Sequence, residues 1–148
     1  MRIEVAFHLP REARTVALVR AVVTNALVLS GVKAECVEDI RLAVSEACTN
    51  VVRHARDGDE YEIWVRVYED RCEIGIKDVG VGFDVDAVVH ARPAPGSAGG
   101  RGVAIMQAVM DSVQFESEPA EGTIVHLVKA LSMDDHGTVL SSSTEHRA

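Results

Sequence analysis

Tyr61, Ile63, Val65 and Val67 alternate with Glu62, Trp64, Arg66 and Tyr68, and after Glu69-Asp70-Arg71 the alternation resumes at Cys72, Ile74 and Ile76. Two successive runs of period two, parted by a short polar turn, predict an antiparallel β-hairpin with one apolar face. Such a face persists only under a second layer. The chain carries candidates for that layer upstream. Over residues 11–29, Val16, Val19, Val23 and Leu27 recur at helical spacing, and Ser30-Gly31 supplies the stop. Residues 33–56 predict a longer helix, with Glu35, Glu38 and Asp39 early and Arg53, His54 and Arg56 late, the arrangement that complements the helix dipole, and Gly58 ends it.

The rest of the chain extends the same pattern. Ile3, Val5 and Phe7 predict a strand over residues 2–9 that Pro10 stops. Residues 113–117 and 123–131 predict a second strand pair around Pro119-Ala120-Glu121-Gly122. Residues 78–102 hold Gly80, Gly82, Gly96, Gly99, Gly100 and Gly102 besides Pro93 and Pro95, so they predict loop with one helical turn near 85–90, before helix over 103–110. A length of 148 residues suits one domain, and 47% hydrophobic with 4% aromatic residues implies an aliphatic core. That domain spans residues 1–131. Residues 132–148 read as a disordered tail, since from Asp134 onward only Val139 and Leu140 are larger apolar groups.

The formal charge of -8 argues against direct grip on nucleic acid, which needs a basic face. The N-terminus lacks a signal-peptide apolar run, and no stretch approaches the ~20 apolar residues that span a bilayer, so a cytoplasmic, membrane-free protein is expected. Cys36, Cys48 and Cys72 have neither metal nor redox spacing and read as reduced core residues. The six histidines form no HxxxH or HExxH set.

Three places carry groups beyond what packing needs. In RLAVSEACTNVVRHA, residues 41–55, Glu46 and Asn50 stand one helical turn apart on one ridge, beside an apolar stripe of Val44, Ala47, Val51 and Ala55. A carboxylate there can serve as a base and an amide oxygen as a ligand for a hard cation such as Mg²⁺. The pair fits a solvated polar ridge as well. In KDVGVGFD, Asp78 ends a strand and Gly80 and Gly82 allow close backbone approach, which fits a carboxylate at a pocket floor facing a base's exocyclic amine, or simply a turn. In GSAGGRGVAIMQAVMD a glycine-rich stretch runs directly into a helix, placing free N–H groups and the positive end of a dipole where a phosphate would bind. Neither GxGxxG nor GxxxxGK[ST] is present, which excludes the Rossmann and P-loop readings. Gly122-Thr123 opens the last strand.

Glu-x-x-x-Asn on a helix, Asp-x-Gly-x-Gly after a hairpin, Gly-x-Gly opening a helix and Gly-Thr on a strand, in that order, resemble the GHKL ATPase superfamily. Closer in, DIRLAVSEACTNVVRHA, GGRGVAIMQAVMDSV and GTIVHLVKAL resemble the anti-sigma-factor serine kinases of bacterial partner-switching systems, over residues 3–131. The resemblance implies an α+β fold of Bergerat type, a two-layer sandwich whose mostly antiparallel sheet is covered on one face by helices. It implies ATP and Mg²⁺ as cofactors, Glu46 as general base and Asn50 as metal ligand. Asp78 would bind the adenine amino group, with Thr123 helping through water and Gly80 and Gly82 shaping the pocket. Gly100 and Gly102 would cradle phosphates, together with Arg101 and Val103 of the same turn. The implied partners are a STAS-type anti-anti-sigma protein that receives phosphate on serine and a sigma factor held in the alternative complex. Arg14 is the best match to a partner-docking arginine on the first helix, ahead of Arg20, and a homodimer is expected.

Two departures stand out. Arg101 occupies a position where such kinases commonly carry Leu or Met, and residues 84–99 have only His90 and Arg92 as basic members. Kinase activity is therefore weighed against a non-catalytic module that binds ATP and sequesters a partner. A detached histidine-kinase domain is the poorer fit, because His8 lies in a strand and His54 at a helix end.

Overall fold

The computed structural model describes residues 2–53, 59–78, 99–118 and 122–134. Among the described residues five strands and three helices follow in the order β1 (Ile3–Pro10), α1 (Ala13–Leu29), α2 (Ala34–Arg53), β2 (Glu60–Val67), β3 (Arg71–Asp78), α3 (Gly99–Val109), β4 (Ser112–Glu118) and β5 (Gly122–Ala130). The strands form one antiparallel sheet in the order β1-β2-β3-β5-β4. β5, the last of the described strands, is thus inserted between β3 and β4.

The period-two pattern becomes the division between the two faces of the sheet. Tyr61, Ile63, Val65 and Val67 of β2, Cys72, Ile74 and Ile76 of β3, and Val125 and Leu127 of β5 are buried. Against them lie Val19, Val23 and Leu27 of α1, Ile40, Val44, Ala47 and Val51 of α2, and Val103 and Met106 of α3. This is the two-layer α+β sandwich expected from the sequence. At the end of the sheet where Tyr61 pairs with Asp78, the Thr15 and Tyr61 hydroxyls bond each other at 2.6 Å, satisfying two buried polar groups at once.

The opposite face carries a transverse row across all five strands: Ala6, Trp64, Gly75, His126 and Gln114 are successive ladder partners. The Trp64 indole lies across Gly75, where a Cβ would fall 1.9 Å from Cε2. It packs against His126 with the rings tilted at 51° and their centroids 5.6 Å apart, under the Arg66 guanidinium at 4.8 Å. Glycine at 75 is what lets the indole lie flat on the sheet.

Several boundaries differ from the sequence reading. α1 begins at Ala13, leaving Arg11 outside it and buried. α3 begins at Gly99, four residues before the expected start, because packing against α2 outweighs the poor helix propensity of Gly99, Gly100 and Gly102. Its far end is fixed by Lys129, whose ammonium donates to the Val109 carbonyl at 2.6 Å and pairs with Asp39 of α2 at 3.2 Å. Past β5 the chain bridges Val32 through Met133, and the Asp134 amide donates to the Gly31 carbonyl at 2.6 Å. The expected helical turn near 85–90, the end of the second helix at 54–56 and the tail from 135 lie outside the described residues. Among the described residues no helix is long and apolar enough to cross a membrane.

Candidate functional site

The α2 ridge and the first turns of α3 meet at a glycine. A Cβ on Gly102 would stand 3.1 Å from Glu46 Oε2 and 3.5 and 3.6 Å from Asn50 Oδ1 and Nδ2. Glu46 and Asn50 are each half-buried; a Cβ at 102 would crowd Glu46 and merely touch Asn50, so the bare Cα of Gly102 gives the α3 backbone room beside the carboxylate. The two residues separated from Gly102 by more than fifty positions of sequence are thereby held beside the N-terminal end of a helix, where unbonded N–H groups and the dipole favour an anion.

Beneath this junction lies a small cleft. Ala47 and Val51 of α2, Met106 of α3, Phe115 of β4, and Ile76 and Val125 of the sheet give it apolar walls, and Asn50 and Thr123 are its polar members. Asp78 and Thr123 are ladder partners at the ends of β3 and β5, on the helix-covered face, and are 2% and 3% exposed. Thr123 donates to the Ser117 hydroxyl at 3.2 Å.

Asp78 is held by a residue that the sequence does not single out. Arg11, its side chain 3% exposed, places Nη1 3.0 Å from Asp78 Oδ1 and 3.1 Å from Asp59 Oδ2. Its Nε and Nη2 donate to the Val51 carbonyl at 3.1 and 2.7 Å. Nothing in REAR distinguishes Arg11 from Arg14. The topology does, since Arg11 follows β1 directly and turns under α2, whereas Arg14 sits on the outer side of α1, exposed and paired with Glu12 at 2.5 Å.

The opposite side of the Glu46 ridge opens to a polar groove between α1 and α2, lined by Arg20, Arg41, Ser45, Glu46 and Thr49. Arg20, not Arg14, is the first-helix arginine beside Glu46. Burial pushes the nearby Cys48 thiol up to about 12 despite the Arg20 charge, so this thiol is inert packing. Arg101 is exposed and Val103 buried in the first turns of α3, and Gly100 belongs to the same helix. Gly80 and Gly82 lie outside the described residues, as do residues 84–98 with His90 and Arg92.

For Mg²⁺ the donor chemistry fits. Among the described residues no three His, Cys, Asp or Glu side chains converge into a protein-only metal cage. Mg²⁺ characteristically takes one or two protein oxygens and completes its shell with water and substrate phosphate. The Asn50 amide oxygen beside an anion-favouring helix end meets that requirement.

The model of the histidine kinase-like ATPase domain matches residues 9–129. Among curated relatives, the serine-protein kinase RsbW of Bacillus velezensis is 34% identical over 151 aligned positions, covering 93% of each chain. That of Halalkalibacterium halodurans is 35% identical over 85% of this chain and 82% of its own, and that of Bacillus subtilis 30% over 93% of each. A Mycobacterium tuberculosis structure comprising RsbU and RsbW domains superposes with a TM-score of 0.63 at 19% identity, over 89% of this chain. This chain spans 33% of that longer one. The histidine kinase domain of a blue-light activated kinase from Erythrobacter litoralis superposes with a TM-score of 0.52 at 20% identity, over 83% of this chain and 62% of its own. By the family match over residues 9–129 and these identities over most of its length, the chain belongs to the histidine kinase-like ATPase family, within its group of serine-protein kinases of the RsbW kind.

Proposed function

We propose that the chain is a cytoplasmic ATP-dependent kinase that phosphorylates a serine on a STAS-type anti-anti-sigma protein and, in the alternative complex, sequesters a sigma factor. It acts as a homodimer, needs Mg²⁺ and makes no direct contact with nucleic acid. The observation that carries this reading is the close approach of Gly102 to Glu46 and Asn50. It joins a base, a hard-cation ligand and a phosphate-binding helix end.

In this reading adenine enters the apolar cleft with its amino group toward Asp78, and Thr123 assists through water. Gly80 and Gly82 shape the pocket wall, and the amides of Gly100, Arg101, Gly102 and Val103 meet the phosphates. Asn50 holds the metal through its amide oxygen; bound Mg²⁺ neutralises charge on the phosphates during transfer. Glu46 faces the groove beside Arg20 and also the phosphate end, which suits a base reached by a seryl hydroxyl from one side and a γ-phosphate from the other. The carboxylate takes the hydroxyl proton, the hydroxyl oxygen bonds to the γ-phosphorus, and the bond to the β–γ bridging oxygen breaks to leave ADP. Arg14 stands ready on the outer side of α1 as a partner contact, with Arg20 lining the groove itself.

The test is transfer of label from γ-labelled ATP to STAS proteins encoded beside this chain's gene, with wild type and Glu46→Gln compared and ATP binding followed by calorimetry. Wild type should label a serine, whereas Glu46→Gln should bind ATP and transfer nothing. A Glu46→Gln variant as active as wild type removes Glu46 as base. Tight ATP binding by wild type without transfer to any candidate leaves a sequestering module instead.

A further inference from the structure

Arg11 has no assigned role in the chemistry above, yet it is among the most constrained side chains of the site. It is one of four buried polar or charged residues among those described, together with Thr15, Asp78 and Thr123. Its planar fork spends every nitrogen: Nη1 on Asp78 and Asp59, Nε and Nη2 on the Val51 carbonyl. An arginine fixed by four bonds in this geometry acts as a rigid bracket, which a flexible point charge would not. One arm fixes the carboxylate at the end of β3. The other fixes the last turn of α2, one residue after Asn50.

We propose that Arg11 is a positioning residue for nucleotide recognition, orienting the Asp78 carboxylate toward the exocyclic amine of adenine and locking it to the helix turn that carries Asn50. The inference rests on the reading of Asp78 as the adenine-binding carboxylate. A carboxylate selects a 6-amino purine only if its plane and distance are held, because a group free to rotate in its pocket can turn to other donors. Arg11 removes that freedom, and through Val51 it sets the distance between the base-reading and metal-holding ends of the site.

The experiment compares ATP with purine riboside triphosphate, which lacks only the 6-amino group, by calorimetry on the full chain. Wild type should prefer ATP by about tenfold or more, the range for a hydrogen bond to a charged group. Arg11→Met should lose most of that preference by weakening ATP while leaving the analogue nearly unchanged. Arg11→Lys, which keeps one charge for Asp78 but cannot make the Val51 fork, should retain a reduced preference and guards against a Met variant that fails to fold. Loss of affinity for both nucleotides in equal proportion marks a merely structural latch and overturns the proposal. So does wild-type preference in both Arg11 variants while Asp78→Asn abolishes it. If Asp78→Asn also keeps the preference, or wild type shows none, the reading of Asp78 itself fails.

Discussion

Gly102→Ala separates stability from catalysis, because the methyl group would act on the two in opposite directions. In a helix interior the change is worth up to about 1 kcal/mol in favour of alanine, from propensity alone. For a chain of this size that raises the melting temperature by about 2–5 °C. The new Cβ would stand 3.1 Å from Glu46 Oε2, so the carboxylate has to give way by about 0.3–0.5 Å to reach ordinary contact. A general base works within a hydrogen-bond window only ~0.6 Å wide, and a misplacement of about 1 Å can cost a hundredfold in rate. Scaled to the shift required here, phosphoryl transfer should fall about four- to tenfold. Thermal melting by circular dichroism and single-turnover transfer of labelled phosphate read the two quantities on the same sample. Transfer at the wild-type rate would refute the claim that the bare Cα keeps the base in place. A fall in rate and melting temperature together would point to general unpacking of α3 from α2 instead.

Asn50→Ala should abolish Mg²⁺-dependent ATP binding while leaving the far-ultraviolet spectrum unchanged, and unaltered affinity in Mg²⁺ removes Asn50 from the metal site. Burial raises Cys48 and Cys72 from 9.0 to about 12 and Tyr61 from 10.0 to about 12. Their contribution is therefore complete below pH 9 and disappears as pH rises toward 12, each group costing ~1.4 kcal/mol per pH unit while only its unfolded form is ionised. Denaturant midpoints measured from pH 8 to 11 should fall steeply, and less steeply in Cys48→Ala; a flat profile in wild type contradicts the burial of these groups. Gly75→Ala drives a methyl group into the Trp64 indole and should destabilise by about 1–3 kcal/mol. Trp64 is the chain's one tryptophan, so its emission should shift to the red as the ring is lifted toward solvent, and an unshifted spectrum shows that the ring does not lie on Gly75.

The elements that the sequence displays most clearly are those in which local pattern and burial coincide. Tyr61 to Ile76 alternates because one face of β2 and β3 meets the helices, and the pattern alone locates both strands. The Glu46–Asn50 ridge is equally legible, since one helical turn fixes their common direction whatever surrounds them. The first turns of α3 are not. Gly99, Gly100 and Gly102 spell loop by propensity and are helical only because α2 lies against them. Arg11 is hidden for the same reason at longer range. Its partners Val51, Asp59 and Asp78 lie 40 to 67 positions away, and no short-range pattern marks a residue whose role comes from topology. Distinguishing Arg20 from Arg14 needs the rotation of α1 against α2, which helical spacing alone leaves open.

The insertion of β5 between β3 and β4 also governs when the protein becomes competent. A chain growing from its N-terminus can zip β1, β2 and β3 together as soon as they emerge, since each pairs with its neighbour in sequence. Among the described residues β4 has no such neighbour in the strands made before it, because its ladder partner there is β5. Until residue 130 is made, the edge of β3 stays open, with the hazard of mispairing that an unpaired strand edge carries. Thr123 and Val125 arrive on that same last strand and close the cleft as they close the sheet. That cleft is therefore walled only once β5 is in place, and a nascent chain that ends before β5 lacks two of its lining residues.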